Sequence, residues 1–392
     1  MHSIRSYVAG GVVVTALLAS NGRFGDSAAS APAPAPASAN LICAQTVVAN
    51  WTPSQLANET IVVPVNALNI GAMGPAARAG YGGLLLLGAT APATLTATLG
   101  RLQAMTPHQY AMMVMVDEEG GGVQRLTNLV GSIPWAQTMG RHLTAPQITA
   151  VGLRIGRALS AAGVNVDLAP VLDVDGRAVY PGASNPDGLR SFGGSPALVA
   201  TDATAFMIGL SQAHVTSVVK HFPGLGGSTG NTDSGPARTL AWSVLQRTAL
   251  VPFRRAIASG ASAVMLSNAS VPGLTALPAS LSATVVDYLR QTLGFQGLIV
   301  TDSLSAGAIG VRHLTVGAAA VAALLAGDDQ ILFGTPSSPI AALGEAAQIS
   351  AAIVTAVAQG SLPIATLRAA AALVLATRNT LACPVVPTTG LL

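Results

Sequence analysis

Eight short apolar runs, rich in β-branched and leucine side chains, punctuate this sequence, and they constrain its fold more than any other feature. They are Thr60–Val65, Gly83–Leu87, Met112–Val116, Val164–Leu168, Val215–Val219, Ala263–Leu266, Leu298–Val300 and Gln330–Phe333. Between them lie Ala/Leu-rich stretches of helical length, among them Ala93–Met105, Ala145–Ala162, Pro196–Ala213, Val244–Ser259 and Ala279–Leu293. Apolar strands alternating with helices call for parallel strands covered on both faces. Eight such units in roughly 330 residues predict a single-domain α/β fold, a (β/α)8 TIM-like barrel, with a doubly wound open sheet as the alternative. The stretches Ile340 to Ala358 and Leu362 to Leu381 are expected to be closing helices.

The runs end in chemistry. Asp117-Glu118-Glu119, Asp173, Lys220-His221, Asn268 and Asp302 all follow a predicted strand. Charged residues make up only 9% of the chain. Gathering so many of them at one rim points to a catalyst, because acids placed at random would fall mostly on helix surfaces. The run Val215–Val219 passes straight into Lys220-His221-Phe222-Pro223-Gly224, and a buried strand has no reason to end in two cations unless they are used. A net charge of +3 without a Lys/Arg stripe argues against nucleic acid as a partner. The spacing of Cys and His offers no metal-ligand set, and no nucleotide motif is visible, so neither metal nor cofactor is expected.

The N-terminus reads as an export signal or a retained membrane anchor. Arg5 precedes an apolar stretch from Val8 to Ala19 that is short for a membrane span, and Ala28 to Ala39 is an Ala/Pro/Ser linker. Residues 1–39 are therefore set apart from a domain at 40–392, and the protein is expected in the cell envelope or outside the cell. Asn40-Leu41-Ile42-Cys43 does not suit lipidation. With only Cys43 and Cys383 present, one disulfide joining the start of the domain to its end is expected in an oxidising compartment.

The rim motifs resemble glycoside hydrolase family 3, in its single-domain β-N-acetylglucosaminidase branch, from about Val47 to Ala376. The carriers are Val116-Asp117-Glu118-Glu119-Gly120-Gly121-Gly122-Val123-Gln124-Arg125-Leu126, Asp167 to Val174, Arg190-Ser191-Phe192-Gly193, Lys220 to Gly226, and Gly297 to Leu304. The resemblance implies that Asp302 is the nucleophile of a retaining glycosidase. It also implies that Asp117, Arg125, Arg190, Lys220 and His221 bind substrate. Glu119 would orient its loop from behind, and Asn268 could hydrogen-bond the sugar. Blander readings stand beside these. Asp302 could cap a helix beginning at Ser303, the arginines could pair with Asp117, Asp173 or Asp187, and His221 could be a backbone-satisfied core histidine. Lys220 could serve a Schiff-base enzyme, and Asn268 could form the turn before Pro272-Gly273.

One departure matters. The resemblance implies an Asp-Ser-His sequence carrying the general acid/base on the loop after the fifth strand, but here the residues are Asp233-Ser234-Gly235. None of the six histidines lies on the loop from Gly226 to Gly235, which has the composition of a mobile lid. Asp233 becomes the candidate acid/base, with an Asx turn as its bland alternative. The expected activity is release of terminal β-linked N-acetylglucosamine from peptidoglycan fragments or related glycans. The expected partner is thus a small saccharide or muropeptide, and a monomer is expected. A β-N-acetylglucosaminide phosphorylase and a weakly catalytic glycan-binding protein are the alternatives.

Overall fold

The computed structural model describes residues 39–107, 110–334 and 337–378. Residues 1–38, which hold nearly all of the segment expected to be an export signal or anchor with its linker (1–39), and Cys383 lie outside the described residues.

The apolar runs become strands β1 (Val62–Asn66), β2 (Gly83–Leu87), β3 (Met113–Val116), β6 (Val166–Asp167), β7 (Thr216–Phe222), β8 (Ala263–Leu266) and β9 (Leu298–Thr301). They form one parallel sheet in the order β1-β2-β3-β6-β7-β8-β9. A short antiparallel pair, β4 (Glu118–Gly120) and β5 (Val123–Gln124), stands above the end of β3.

Side chains alternate between two cores because successive residues of a strand point to opposite faces. Val63, Leu84, Leu86, Val114, Val264 and Ile299 face the helices. Val62, Leu85, Met113, Met115, Met265 and Val300 gather in a second cluster of their own. Every strand of the sheet contributes to this inner cluster, so the sheet is curled around it. The eighth predicted run does not form a full strand. Instead Gln330 makes a parallel bridge to Val300 on β9, and Ile331 makes one to Ile61 beside β1. Thus the segment following Asp329 reaches both edges of the sheet.

Helices follow the strands as expected, with local causes at their ends. Ala145–Ala162 begins at a Thr144/Gln147 capping box and stops at Gly163 in the left-handed conformation. Pro196–Gln212 is capped by the Ser195 side chain. The long stretch predicted from Val244 to Ser259 divides into Trp242–Leu245 and Leu250–Ala258. The stretch predicted from Ala279 also breaks, into a 3₁₀ turn, the helix Ala283–Asp287 and a wide turn Tyr288–Thr292.

Candidate active site

The C-terminal ends of the strands open into a cavity of about 800 Å³. Asp117, Arg125, Arg190, Lys220, His221, Asp233 and Asp302 all line it. Residues up to 185 positions apart in sequence, Asp117 and Asp302, thereby share one wall of space because parallel strands deliver their ends to the same side.

The floor is an ion-paired lattice. Lys220 lies inside β7 rather than after it, and its Nζ is 2.6 Å from Asp117 Oδ1 and 2.7 Å from Glu119 Oε1. Arg190 donates from Nε to Glu119 Oε2 and from Nη2 to Glu119 Oε1, both at 2.7 Å. Its Nη1 donates to the Pro186 carbonyl. Glu119 is therefore the shared anion of the lattice, and its partner Arg190 is fixed by a bidentate fork. Burial works against each charge, but the partners outweigh it. Arg190 and Lys220 hold Glu119 well below the usual carboxylate range, while Asp117 and Glu119 raise Lys220. Lys220 is thus a charged, doubly tethered donor, the opposite of the neutral amine that Schiff-base chemistry requires.

Glu118 turns the other way. Its Oε1 accepts from the amides of Arg125 (2.9 Å) and Leu126 (2.5 Å), and its own amide donates to Asp167 Oδ1. These bonds fold the hairpin that carries Glu119 and Arg125. The Arg125 guanidinium has no protein acceptor among the described residues, and its Nε is buried. It faces the cavity with its donors unspent, whereas the Arg190 donors are largely committed to Glu119 and Pro186.

His221 is held by a carboxylate. Its Nδ1 lies 2.7 Å from Asp173 Oδ2, and Asp173 also accepts from the amides of Leu225 (2.6 Å) and His221 itself. Donation from Nδ1 leaves Nε2 for the cavity. Burial and the nearby Arg190 charge lower His221 to about 4, so the ring is neutral near pH 7. Behind this pair lies Asp187, fully buried, with neither carboxyl oxygen met by a nitrogen or hydroxyl donor. Burial and the Asp173 charge push Asp187 far up, so it carries a proton to offer to Asp173. Asp173, Asp187 and His221 bring potential ligand atoms within 4.8 Å of one another. With Asp173 already accepting three N–H groups and the Arg190 cation close by, this trio suits a shared proton better than a metal ion. From sequence Asp187 is legible only as a possible partner for arginine, because a lone buried Asp leaves no mark there.

Asp302 follows β9, half-buried, and its Oδ1 accepts from the Ser303 amide at 2.7 Å. The next helix, Gly307–Gly310, begins with Ala306 at its cap, so Asp302 is not a helix cap. Burial raises Asp302; the His221 ring opposes and the charge of Asp233 adds to the rise. Asp233 is exposed on the loop that follows β7. The Asx turn there belongs to Asn231, whose Oδ1 accepts from the Asp233 amide, leaving the Asp233 carboxylate free to face the cavity.

Asn268 does not reach the cavity. It is buried, donates from Nδ2 to the Ser303 carbonyl at 2.7 Å, and accepts at Oδ1 from Ser280 at 2.6 Å. Both ends of its amide are occupied in tying the Asp302 loop to the segment after β8. Neither substrate contact nor the Pro272-Gly273 turn describes it.

Residues 79–377 match the Glycosyl hydrolase family 3 N terminal domain. Beta-hexosaminidase LpqI of Mycobacterium tuberculosis is 35% identical over 264 residues, which is 64% of this chain and 64% of that protein's own length. A crystal structure of a GH3-family glycosyl hydrolase from Mycobacterium smegmatis is similar with a TM-score of 0.77 and 34% identity, covering 85% of this chain and 99% of that one. A beta-N-acetylhexosaminidase from Beutenbergia cavernae gives a TM-score of 0.75 at 30% identity, covering 84% of this chain and 99% of that one. With the motifs, the parallel curled sheet and this extent of similarity together, the chain belongs to glycosyl hydrolase family 3.

Proposed function

We propose that this protein is an exported retaining β-N-acetylglucosaminidase built as one (β/α)8 domain over residues 40–392. Its substrate would be a terminal β-linked N-acetylglucosamine on a peptidoglycan fragment or related glycan. The observation that carries this reading is the meeting of Asp302 and Asp233 in one cavity over the Asp117–Lys220–Glu119–Arg190 floor. The similar proteins named as hexosaminidases support the sugar class, and a similar fungal protein named as secreted supports export.

In the first step the ionised Asp302 carboxylate forms a bond to the anomeric carbon while the bond to the leaving oxygen breaks, and Asp233 gives that oxygen its proton. In the second step water attacks the same carbon, its proton passes to Asp233, and the Asp302 carboxylate is released. Asp117 accepts from sugar hydroxyls. Lys220, Arg125 and His221 Nε2 donate to or exchange hydrogen bonds with the ring oxygens and the acetamido group. Arg190 acts chiefly by holding Glu119, and thus Lys220, in place.

Asp302→Asn tests this directly. It should lower kcat/KM for an aryl N-acetylglucosaminide by about 10⁴-fold or more; a variant as active as wild type would remove Asp302 from the reaction. Glycine at position 235 favours a second reading, in which phosphate is the acceptor in the second step and Arg125 receives the anion. Formation of a sugar 1-phosphate on adding phosphate, in place of free sugar, would select it. Pairing of Cys43 with Cys383 belongs to the same proposal, and thiol titration of the unfolded, unreduced protein should find no free thiol.

A further inference from the structure

The segment between β6 and β7 carries an exposed aromatic beside the cavity-lining Pro181. Tyr180 is 75% exposed, and its ring stands edge-on to Trp135, with centroids 5.9 Å apart and planes at 70°. Trp135 in turn lies against the turn of the β4–β5 hairpin. An added Cβ at Gly121 would fall 1.9 Å from the indole, so the backbone of that turn lies directly on the ring. The same hairpin delivers Glu119 and Arg125 to the cavity. Water-exposed tyrosine rings on surface loops are usually free to move, but this loop is braced. Leu189 donates to the Val179 carbonyl at 2.9 Å, Gly182 to the Asn185 carbonyl at 2.7 Å, and Arg177 clamps Asp175 and Asn185 together.

Position relative to the reaction follows from the neighbours. Pro181 and Gly182, next to Tyr180, line the cavity. Ala183, one residue further, accepts at 2.8 Å from the amide of Asn231 on the loop that carries Asp233. The leaving group must lie beside the acid that protonates it, so it emerges where the Tyr180 and Asp233 loops abut.

We propose that Tyr180, backed by Trp135, is a platform for the second sugar ring of the substrate, on the leaving-group side, and selects saccharide over simple leaving groups. The inference rests on the glycosidase reading and deepens it. A pyranose ring presents axial C–H groups on one face, and a flat aromatic face with a polar rim buries that surface without demanding any one hydroxyl pattern. The platform is open on its outer side, so it suits an oligosaccharide of varied continuation.

The test compares N-acetylglucosaminyl fluoride, whose leaving group has no ring, with chitotriose. The ratio of kcat/KM for chitotriose to that for the fluoride is internally normalised for folded enzyme. In Tyr180→Ala it should fall about tenfold, mainly through KM, and Tyr180→Phe should restore it because the ring remains. Binding of chitotriose to Asp302→Asn protein by calorimetry should weaken by a similar factor when Tyr180→Ala is added. An unchanged ratio in Tyr180→Ala, or a fall in Tyr180→Phe as large as in Tyr180→Ala, overturns the platform while leaving the glycosidase reading intact. Failure of the wild type on both substrates, with no chitotriose bound in the calorimeter, overturns both.

Discussion

The Gly307 amide donates to the Asp233 carbonyl at 3.0 Å, and Ala308 repeats the contact on Thr232 at 2.9 Å. The loop bearing the candidate acid/base is thus joined through its backbone to the segment that follows the candidate nucleophile. This composition was expected to give a mobile lid; the structure holds it at both sides, on Gly307 and on Ala183.

Gly307 has no room to be anything else. A Cβ there would lie 2.8–2.9 Å from the backbone of residues 233–235, closer than side chains approach. Gly307→Ala should therefore lift the loop. Cleavage of a natural disaccharide, which needs leaving-group protonation, should fall about 10²-fold. An aryl glycoside of an acidic phenol should lose far less. Steady-state kinetics on the pair of substrates decides it; equal losses would mean the contact serves folding alone.

Position 235 is the reverse case. No heavy atom lies within 4 Å of a Cβ built on Gly235, and its φ is not in the left-handed region. Gly235→His should therefore be accommodated and should restore an imidazole acid. Disaccharide hydrolysis should rise about 10-fold or more, with little change on the activated aryl substrate. No gain on the disaccharide would mean that Asp233 already supplies the proton competently.

Asp302 and Asp233 should be coupled through charge. Burial raises Asp302, and the Asp233 carboxylate raises it further. The nucleophile must be ionised, so activity is lost as pH falls through its pKa, and a raised pKa moves that loss upward. Removing the negative charge in Asp233→Asn should move the acid limb of kcat/KM to lower pH. An aryl substrate with a good leaving group isolates this effect from loss of the acid. A limb that stays in place would mean the two carboxylates do not sense each other.

Asp187 should set a pH dependence of stability. Its folded pKa is raised by burial first and by Asp173 second. The stability it contributes is then full below the pKa of the unfolded chain and is lost as pH rises through the folded value. Asp187→Asn keeps the shape, stays neutral and still donates to Asp173, so the decline in urea midpoint from acid to alkaline pH should flatten. Asp187→Ala strips Asp173 of that donor and should cost about 1–3 kcal/mol.

Much of this was legible in sequence because strands buried on both faces write themselves as apolar runs. Gly83–Leu87 and Ala263–Leu266 form strands at the expected bounds. The hairpin at Glu118–Gly120 was invisible, since Glu and Gly have little strand preference; the Glu118 carboxylate folds it by accepting two amides across the turn. Residue types at strand ends located the cavity, but partner choice lay beyond them. Lys220 meets Asp117 across 103 positions, and His221 meets Asp173 across 48, pairings fixed only by sheet order and register. Asn268 shows the limit most plainly. Beside a Pro-Gly turn and after a strand it looks available, and only the packing of Ser280 and Ser303 against it shows that its amide is spent.

Asp117 and Glu119 on one side, Lys220 and Arg190 on the other, cancel to zero across the floor of the cavity. An uncharged guest therefore displaces no counter-ions when it enters, and raising ionic strength should leave its affinity almost untouched. A uronate or a sulfated sugar would find Lys220 and Arg190 already paired, leaving Arg125 as the lining cation with donors unspent.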